Sequence, residues 1–310
     1  MDSIPQRAIQ LYSVRSHSAP LPDILRRVDE AGYDGVEFAH RFREEPTEPV
    51  ADALAETGIE PVAVHADLSA VEDAVDGQTD LIERCRTVGC DSIVIPHVSS
   101  SHYRSRGSVR SLAERLRAAA ADLADHGLNL GFHNDRRTLW PLLPDGSRAL
   151  LSSTPIPDRA ADHAQRAARR LASQNPSVVP SETPLWNLVA RTEPEELSFE
   201  IEVAEVRAAG FDPTAALSLV GDRAEMVHLR DVTRPDLVGG AENVPHGEGA
   251  VGMERVAEAA ADAGVDWIVY ENELDAAPES KIDGGAALLD RLVSRSDAPR
   301  ERIGTRTSGS

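Results

Sequence analysis

Short apolar runs recur along the chain. Most end at or near a charged or imidazole side chain and are followed by a stretch of helical periodicity. Ala8–Tyr12, Gly35–Phe38, Glu60–Val64, Ser92–Ile95, Asn129–Phe132, Ser198–Ile201, Glu225–Val227 and Trp267–Tyr270 read as short buried strands. Between and after them, Asp23–Ala31, Thr47–Thr57, Thr79–Val88, Val109–His126, Leu185–Arg191, Pro213–Val220, Met253–Ala263 and Asp283–Ser294 read as helices. Gly32, Gly58, Gly89, Gly127 and Gly264 stop five of them, and the units AGYDGVEF, TGIEPVAV, VGCDSIVI, HGLNLGF and AGVDWIVY repeat one grammar: helix end, glycine, strand start. Eight such units predict an α/β fold, a single (β/α)8 TIM barrel. A doubly wound sheet is the runner-up, but no G-x-G-x-x-G follows the first strand.

The alternation pauses after strand five. Residues from about 136 to 197 are rich in Pro, Ser, Arg and Ala, and about 152–182 read as a flexible insertion with one polar helix, Arg159–Ser173. The barrel is expected over 1–296 and a disordered tail over 297–310.

Composition narrows the partners. The chain has 310 residues, 41% of them hydrophobic, enough for one large core or two modest ones. No apolar run approaches the roughly 18 residues of a membrane span, and the first residues lack a signal-peptide core, so a soluble cytoplasmic protein is expected. There are 52 acidic residues against 32 basic ones, a net charge of −20. That argues against nucleic acid and anionic membranes as partners. Lys281 is the only lysine. An acidic, lysine-poor surface suits a salt-rich, halophile-like cytoplasm, and arginine-biased codon use explains it as well. Schiff-base chemistry would rest on Lys281, which sits in a polar segment near Pro and Gly. Cys85 and Cys90 are too few and wrongly spaced for a zinc knuckle and read as structural, reduced thiols.

In a barrel the residues at the carboxyl ends of the strands converge on one mouth. Here they are Glu37, His65, His97, His133, Glu202, His228 and Glu271. One histidine would mean little, since most satisfy a structural role. A ring of imidazoles and carboxylates suits a divalent metal, with one carboxylate free to act as a base. His228, Glu271 and Glu202 are the expected ligands. Strand alternation puts Glu200 on the same side as Glu202, so either could face the centre. His133 serves metal or substrate. Glu37, His65 and His97 are expected to support the ligands or touch substrate. Asp231 orients His228, binds a hydroxyl, or is a solvated loop acid. Gly247-Glu248-Gly249 is either a substrate-covering loop with Glu248 reaching inward or a simple turn.

Six segments in order resemble a known group: QLYSVR at 10–15, GYDGVEF at 32–38, GFHND at 131–135, VHLRD at 227–231, GEG at 247–249 and IVYENE at 268–273. They are similar to the xylose isomerase-like TIM-barrel superfamily, in its sugar phosphate isomerase/epimerase branch, over about 7–295 without the insertion. The resemblance implies one divalent metal ion (Mn²⁺, Mg²⁺, Co²⁺ or Zn²⁺) held at the ends of strands five to eight. The matching positions are His133, Glu202, His228 and Glu271, with Glu271 and His133 as catalytic residues and Asn134 beside the substrate. Two positions depart from the usual pattern: Glu202 stands where aspartate is usual and Asp135 where a histidine is usual. A carboxylate or histidine is usual at the first ligand position, and His133 stands where 3-epimerases place the first of two catalytic glutamates. The expected activity is isomerisation or epimerisation of a sugar or polyol derivative by proton transfer next to a carbonyl, in a chain compatible with a homo-oligomer. A lyase or hydratase on the same metal, an abasic-site endonuclease, and a non-catalytic sugar-binding barrel are the alternatives.

Overall fold

The computed structural model describes residues 4–142, 176–235 and 240–296. The expected helix at 159–173, most of the insertion and the tail lie outside them. Eight parallel strands close a barrel in sequence order: β1 (Gln6–Gln10), β2 (Gly35–Phe38), β3 (Glu60–His65), β4 (Ser92–Ile95), β5 (Asn129–His133), β6 (Ser198–Glu202), β7 (Ala224–Leu229) and β8 (Trp267–Tyr270). β1 pairs with both β2 and β8, so no edge is left.

The helices are α1 (Leu21–Glu30), α2 (Thr47–Thr57), α3 (Leu68–Val75), α4 (Leu81–Val88), α5 (Arg106–Ala124), α6 (Pro184–Val189), α7 (Val203–Ala208), α8 (Pro213–Val220), α9 (Met253–Ala263) and α10 (Pro278–Ser296). Two short ones, α3 and α7, were not expected. In α3 the buried residues Leu68, Val71 and Ala74 recur every third position, a stripe only two turns long. α7 begins where the Glu202 side chain accepts the Ala204 N–H, so a site residue doubles as its cap. Several strands run one or two residues further than the apolar runs. His65, His133, Glu202 and His228 therefore lie within strands rather than beyond them.

Successive residues of a strand face opposite ways. The outward set, including Ile9, Phe38, Ile93, Phe132 and Phe199, is fully buried in the layer between strands and helices. The inward set fills the barrel with a second, smaller cluster: Ala8, Val62, Ala63, Val94, Met226, Trp267 and Val269. Gly35 is obligatory at this level, because a Cβ there would lie 2.6 Å from both the Trp267 ring and Val62. Two residues further along the same inward faces, the chemistry changes. Ala8 gives way to Gln10, Gly35 to Glu37, Ala63 to His65, Met226 to His228 and Val269 to Glu271. The apolar cluster is the floor on which a polar layer stands.

Candidate metal centre at the barrel mouth

Ligand atoms of His133, Glu202, His228 and Glu271 lie within 4.8 Å of one another. They come from β5, β6, β7 and the residue after β8. Register holds two of them level, since Glu202 pairs with His228. Glu202 and His228 have no exposed surface, and Glu271 is 6% exposed. His228 Nδ1 is 3.2 Å from Glu271 Oε2 and 3.5 Å from Gln10 Nε2. The Nδ1 atom of His133 is buried without a hydrogen-bond partner.

Electrostatics prepares these groups unequally. Burial pushes His133 down to about 3, so it is a neutral imidazole with a free lone pair. Burial would raise Glu271, but the hydrogen bond from His228 and the charge of Arg230 outweigh it and hold the carboxyl well below its usual range. Burial raises Glu202 well above the usual range despite Arg230, and the neighbouring Glu271 adds to the effect. Burial thus favours a protonated Glu202 beside an ionised Glu271, and a bound cation would displace that proton. Two carboxylates and two imidazoles, one of them with an orphaned buried ring nitrogen, are a donor set that fits a borderline divalent ion.

Arg230, unremarked in the sequence beyond its motif, is central to this balance. It is 8% exposed and reaches Glu202 Oε2 (3.1 Å), Glu205 Oε1 (3.1 Å) and Glu273 Oε2 (2.5 Å). The Ala204 cap holds Glu202 Oε1, while Oε2, 3.1 Å from Arg230 Nε, is buried with no hydrogen-bond partner. Glu205 is held in turn by Arg136 Nε at 2.7 Å.

A second set lies deeper. Ligand atoms of Glu37, His65, Glu200 and His228 also fall within 4.8 Å of one another. His65 Nε2 is 2.8 Å from Glu37 and 2.9 Å from Glu200. His228 Nε2 is 2.9 Å from Glu37 and 2.5 Å from Glu200. His228 therefore faces one set with each ring nitrogen. The two carboxylates push His65 up to about 10 against the effect of burial.

A cavity of about 430 Å³ opens above, lined among others by Gln10, Tyr12, Arg43, His65, His97, His133, Glu271 and Glu273. Four residues expected at the substrate are placed elsewhere. Glu37 is fully buried and faces His65 and His228 rather than the cavity. Asn134 is fully buried and ties two strand ends together, its amide donating to the Glu202 carbonyl and accepting from the Glu202 N–H. Asp231 accepts the backbone N–H groups of Gly247, Gly249 and Val251. It neither orients His228 nor is solvated. Glu248 is exposed and does not line the cavity, because the loop is drawn down by Asp231. His97 is exposed on the cavity wall. Lys281 is not in a solvated segment: it is 4% exposed and donates to the carbonyls of Ser13 and Asn272, away from the cavity lining. Cys85 and Cys90 are buried and unpaired with each other. No helix among the described residues is long and apolar enough to cross a membrane.

Comparison with known proteins agrees with this architecture. The family model of the xylose isomerase-like TIM barrel matches residues 25–151. No curated protein matches the chain. A sugar phosphate isomerase/epimerase from Parabacteroides distasonis superposes with a TM-score of 0.68 at 13% identity, covering 95% of this chain and 96% of that one. The probable 3-DHS dehydratase AsbF from Bacillus anthracis, involved in petrobactin synthesis, gives 0.63 at 14%, covering 92% and 98%. The IolI protein, whose structure holds a zinc atom, gives 0.62 at 10%, covering 94% and 97%. The chain has the xylose isomerase-like TIM-barrel fold, and its structural neighbours include sugar phosphate isomerase/epimerase proteins.

Proposed function

We propose that this protein is a metal-dependent isomerase or epimerase acting on a sugar or polyol derivative, by proton transfer next to a carbonyl. The observation that carries the reading is the convergence of His133, Glu202, His228 and Glu271 at the foot of the cavity. A divalent ion bound there would polarise a carbonyl and stabilise the charge of an enediolate. The protein's own groups divide the remaining work. Glu271 is kept ionised by His228 and Arg230 and lines the cavity, so it is the group placed to take a proton from carbon. His133 lines the same cavity and supplies a neutral imidazole where a second carboxylate would stand in a two-glutamate epimerase. Arg43 lines the wall and offers a guanidinium to an anionic substituent.

One ionised carboxylate opposite a neutral imidazole suits elimination of water as well as isomerisation, which keeps a lyase as the second reading. The net charge of −20 disfavours cleavage of a nucleic acid.

The test is turnover of a panel of ketoses, keto-glycosides and inosose-type polyols with Mn²⁺, Mg²⁺, Co²⁺ and Zn²⁺, scored for isomerised, epimerised and dehydrated products. His228→Ala and Glu271→Gln should each abolish metal-dependent turnover while the circular dichroism spectrum is kept. Full activity in both variants would refute the assignment, and cleavage of an abasic-site duplex would replace it.

A further inference from the structure

Beneath the expected metal site the barrel holds a closed square of alternating groups: Glu37, His65, Glu200 and His228. Each imidazole presents Nε2 to both carboxylates, at 2.5–2.9 Å. An Nε2–H donates along one direction, so two imidazoles can supply at most two of these four contacts with a proton. Only the bond between His65 and Glu200 has hydrogen-bond geometry. Both oxygens of Glu37, Oε1 of Glu200 and Nε2 of His228 are buried with no hydrogen-bond partner. Short contacts without matching protons are what a ligand set shows around a central cation.

The charge count points the same way. Glu37 and Glu200 have no exposed surface, and isolated carboxylates are costly there unless compensated. This step rests on the proposed upper site. A His228 ring that ligates an ion through Nδ1 keeps at most one proton, on Nε2, and is no longer a cation. His65 alone then faces two buried carboxylates, whereas a dication balances both.

We propose that Glu37, His65, Glu200 and Nε2 of His228 form a second divalent-cation site, deeper than the first and sharing His228 with it. The set offers two imidazole nitrogens and two carboxylates, the donor mix of zinc or cobalt. Four ligands at about 2.0–2.1 Å span edges of about 3.3 Å, so the square opens by roughly half an ångström to seat the ion. Of the four, only His65 lines the cavity, and it is the residue an entering ion meets first. The ring of His228 then joins two ions through its two nitrogens as an imidazolate, its Nε2 proton released to solvent as the deep ion binds, and the deep ion fixes the orientation in which Nδ1 meets the upper one.

The experiment is a Co²⁺ and Zn²⁺ titration of the full chain after chelator treatment. Bound metal is counted by elemental analysis, and the ligand field is followed by cobalt absorption. Wild type is expected to bind two ions per chain, Glu200→Gln one, and Glu271→Gln one. If Glu200→Gln fails to fold, Glu37→Gln replaces it. Anomalous scattering from zinc-soaked wild-type crystals locates the ions without any variant. One ion that is lost in Glu200→Gln but kept in Glu271→Gln would support the deep site and sink the upper one. One ion lost in Glu271→Gln and kept in Glu200→Gln would overturn the deep site alone. No bound ion in any form would overturn both.

Discussion

Removal of the Asp231 carboxylate should release the loop at 245–251. Asp231 is 2% exposed. Its Oδ2 accepts the N–H groups of Gly247 (2.9 Å) and Gly249 (3.0 Å), and its Oδ1 accepts those of Val251 (3.2 Å) and Val232 (2.9 Å). The packing is so close that a Cβ on Gly249 would sit 2.1 Å from Oδ1. Hydrogen bonds to a charged acceptor contribute about 1.5–3 kcal/mol each, and a buried donor left without a partner costs about 1–3 kcal/mol. Gly247 and Gly249 are exposed and can turn to water in the variant. Val251 is buried and its N–H cannot. Asp231→Ala should therefore lose about 3–5 kcal/mol. Unfolding entropy near 2.1 cal/mol/K per residue, over 310 residues, converts this to a fall in Tm of about 5–8 °C. Asp231→Asn keeps one oxygen and hence two of the four bonds, so about half the loss is expected. Calorimetry gives Tm, and amide hydrogen exchange should quicken at 247–251 before the barrel strands. A drop under about 2 °C with unchanged exchange at those amides would refute the reasoning.

Other expectations follow from single interactions. Arg230→Met strands Glu202, Glu205 and Glu273 without their shared guanidinium and should cost about 3–5 kcal/mol in urea unfolding; a loss under about 1 kcal/mol would mean that the site tolerates the charge imbalance. His133 has its folded pKa depressed to about 3 by burial, so its contribution is complete above its unfolded value near 6.5 and is lost as pH falls from there toward about 3. Metal-free wild type should accordingly lose stability relative to His133→Gln between pH 6.5 and 4, and a pH-independent difference would contradict the shift. Burial pushes the Cys85 thiol up to about 12, so the native protein should resist iodoacetamide at pH 8, whereas the guanidinium-unfolded chain should alkylate at both Cys85 and Cys90.

Much of the candidate site was legible because strands have a period of two and barrels put chemistry at one end of them. His133, Glu202, His228 and Glu271 follow from that rule plus the resemblance at 131–135, 227–231 and 268–273. Glu200 was visible in the same alternation but read as a rival to Glu202, when both are inward and serve different levels. Arg230 carried no signal, because a basic residue after a strand is ordinary until three carboxylates are seen to converge on it. Lys281 misled: its polar flanks suggested solvent, yet the α10 backbone carries it under the end of β8.

Local pattern thus determined the eight strands, most of the helices and the barrel order, since apolar period and glycine stops act over a few residues. It also determined which side chains could ligate a metal, because residue type and inward alternation are properties of the chain itself. Tertiary structure alone decided how those side chains are shared. Asp231 and Asn134 were drawn into backbone hydrogen bonds, because buried N–H and C=O groups from distant segments arrive beside them. Glu37 was committed to two histidines 28 and 191 residues away, a pairing no spacing encodes. Closure of the barrel between β1 and β8 brings Glu37 of β2 across to Nε2 of His228, whose neighbours Glu200 and Glu271 come from the flanking strands, and so makes one histidine common to two levels of the site.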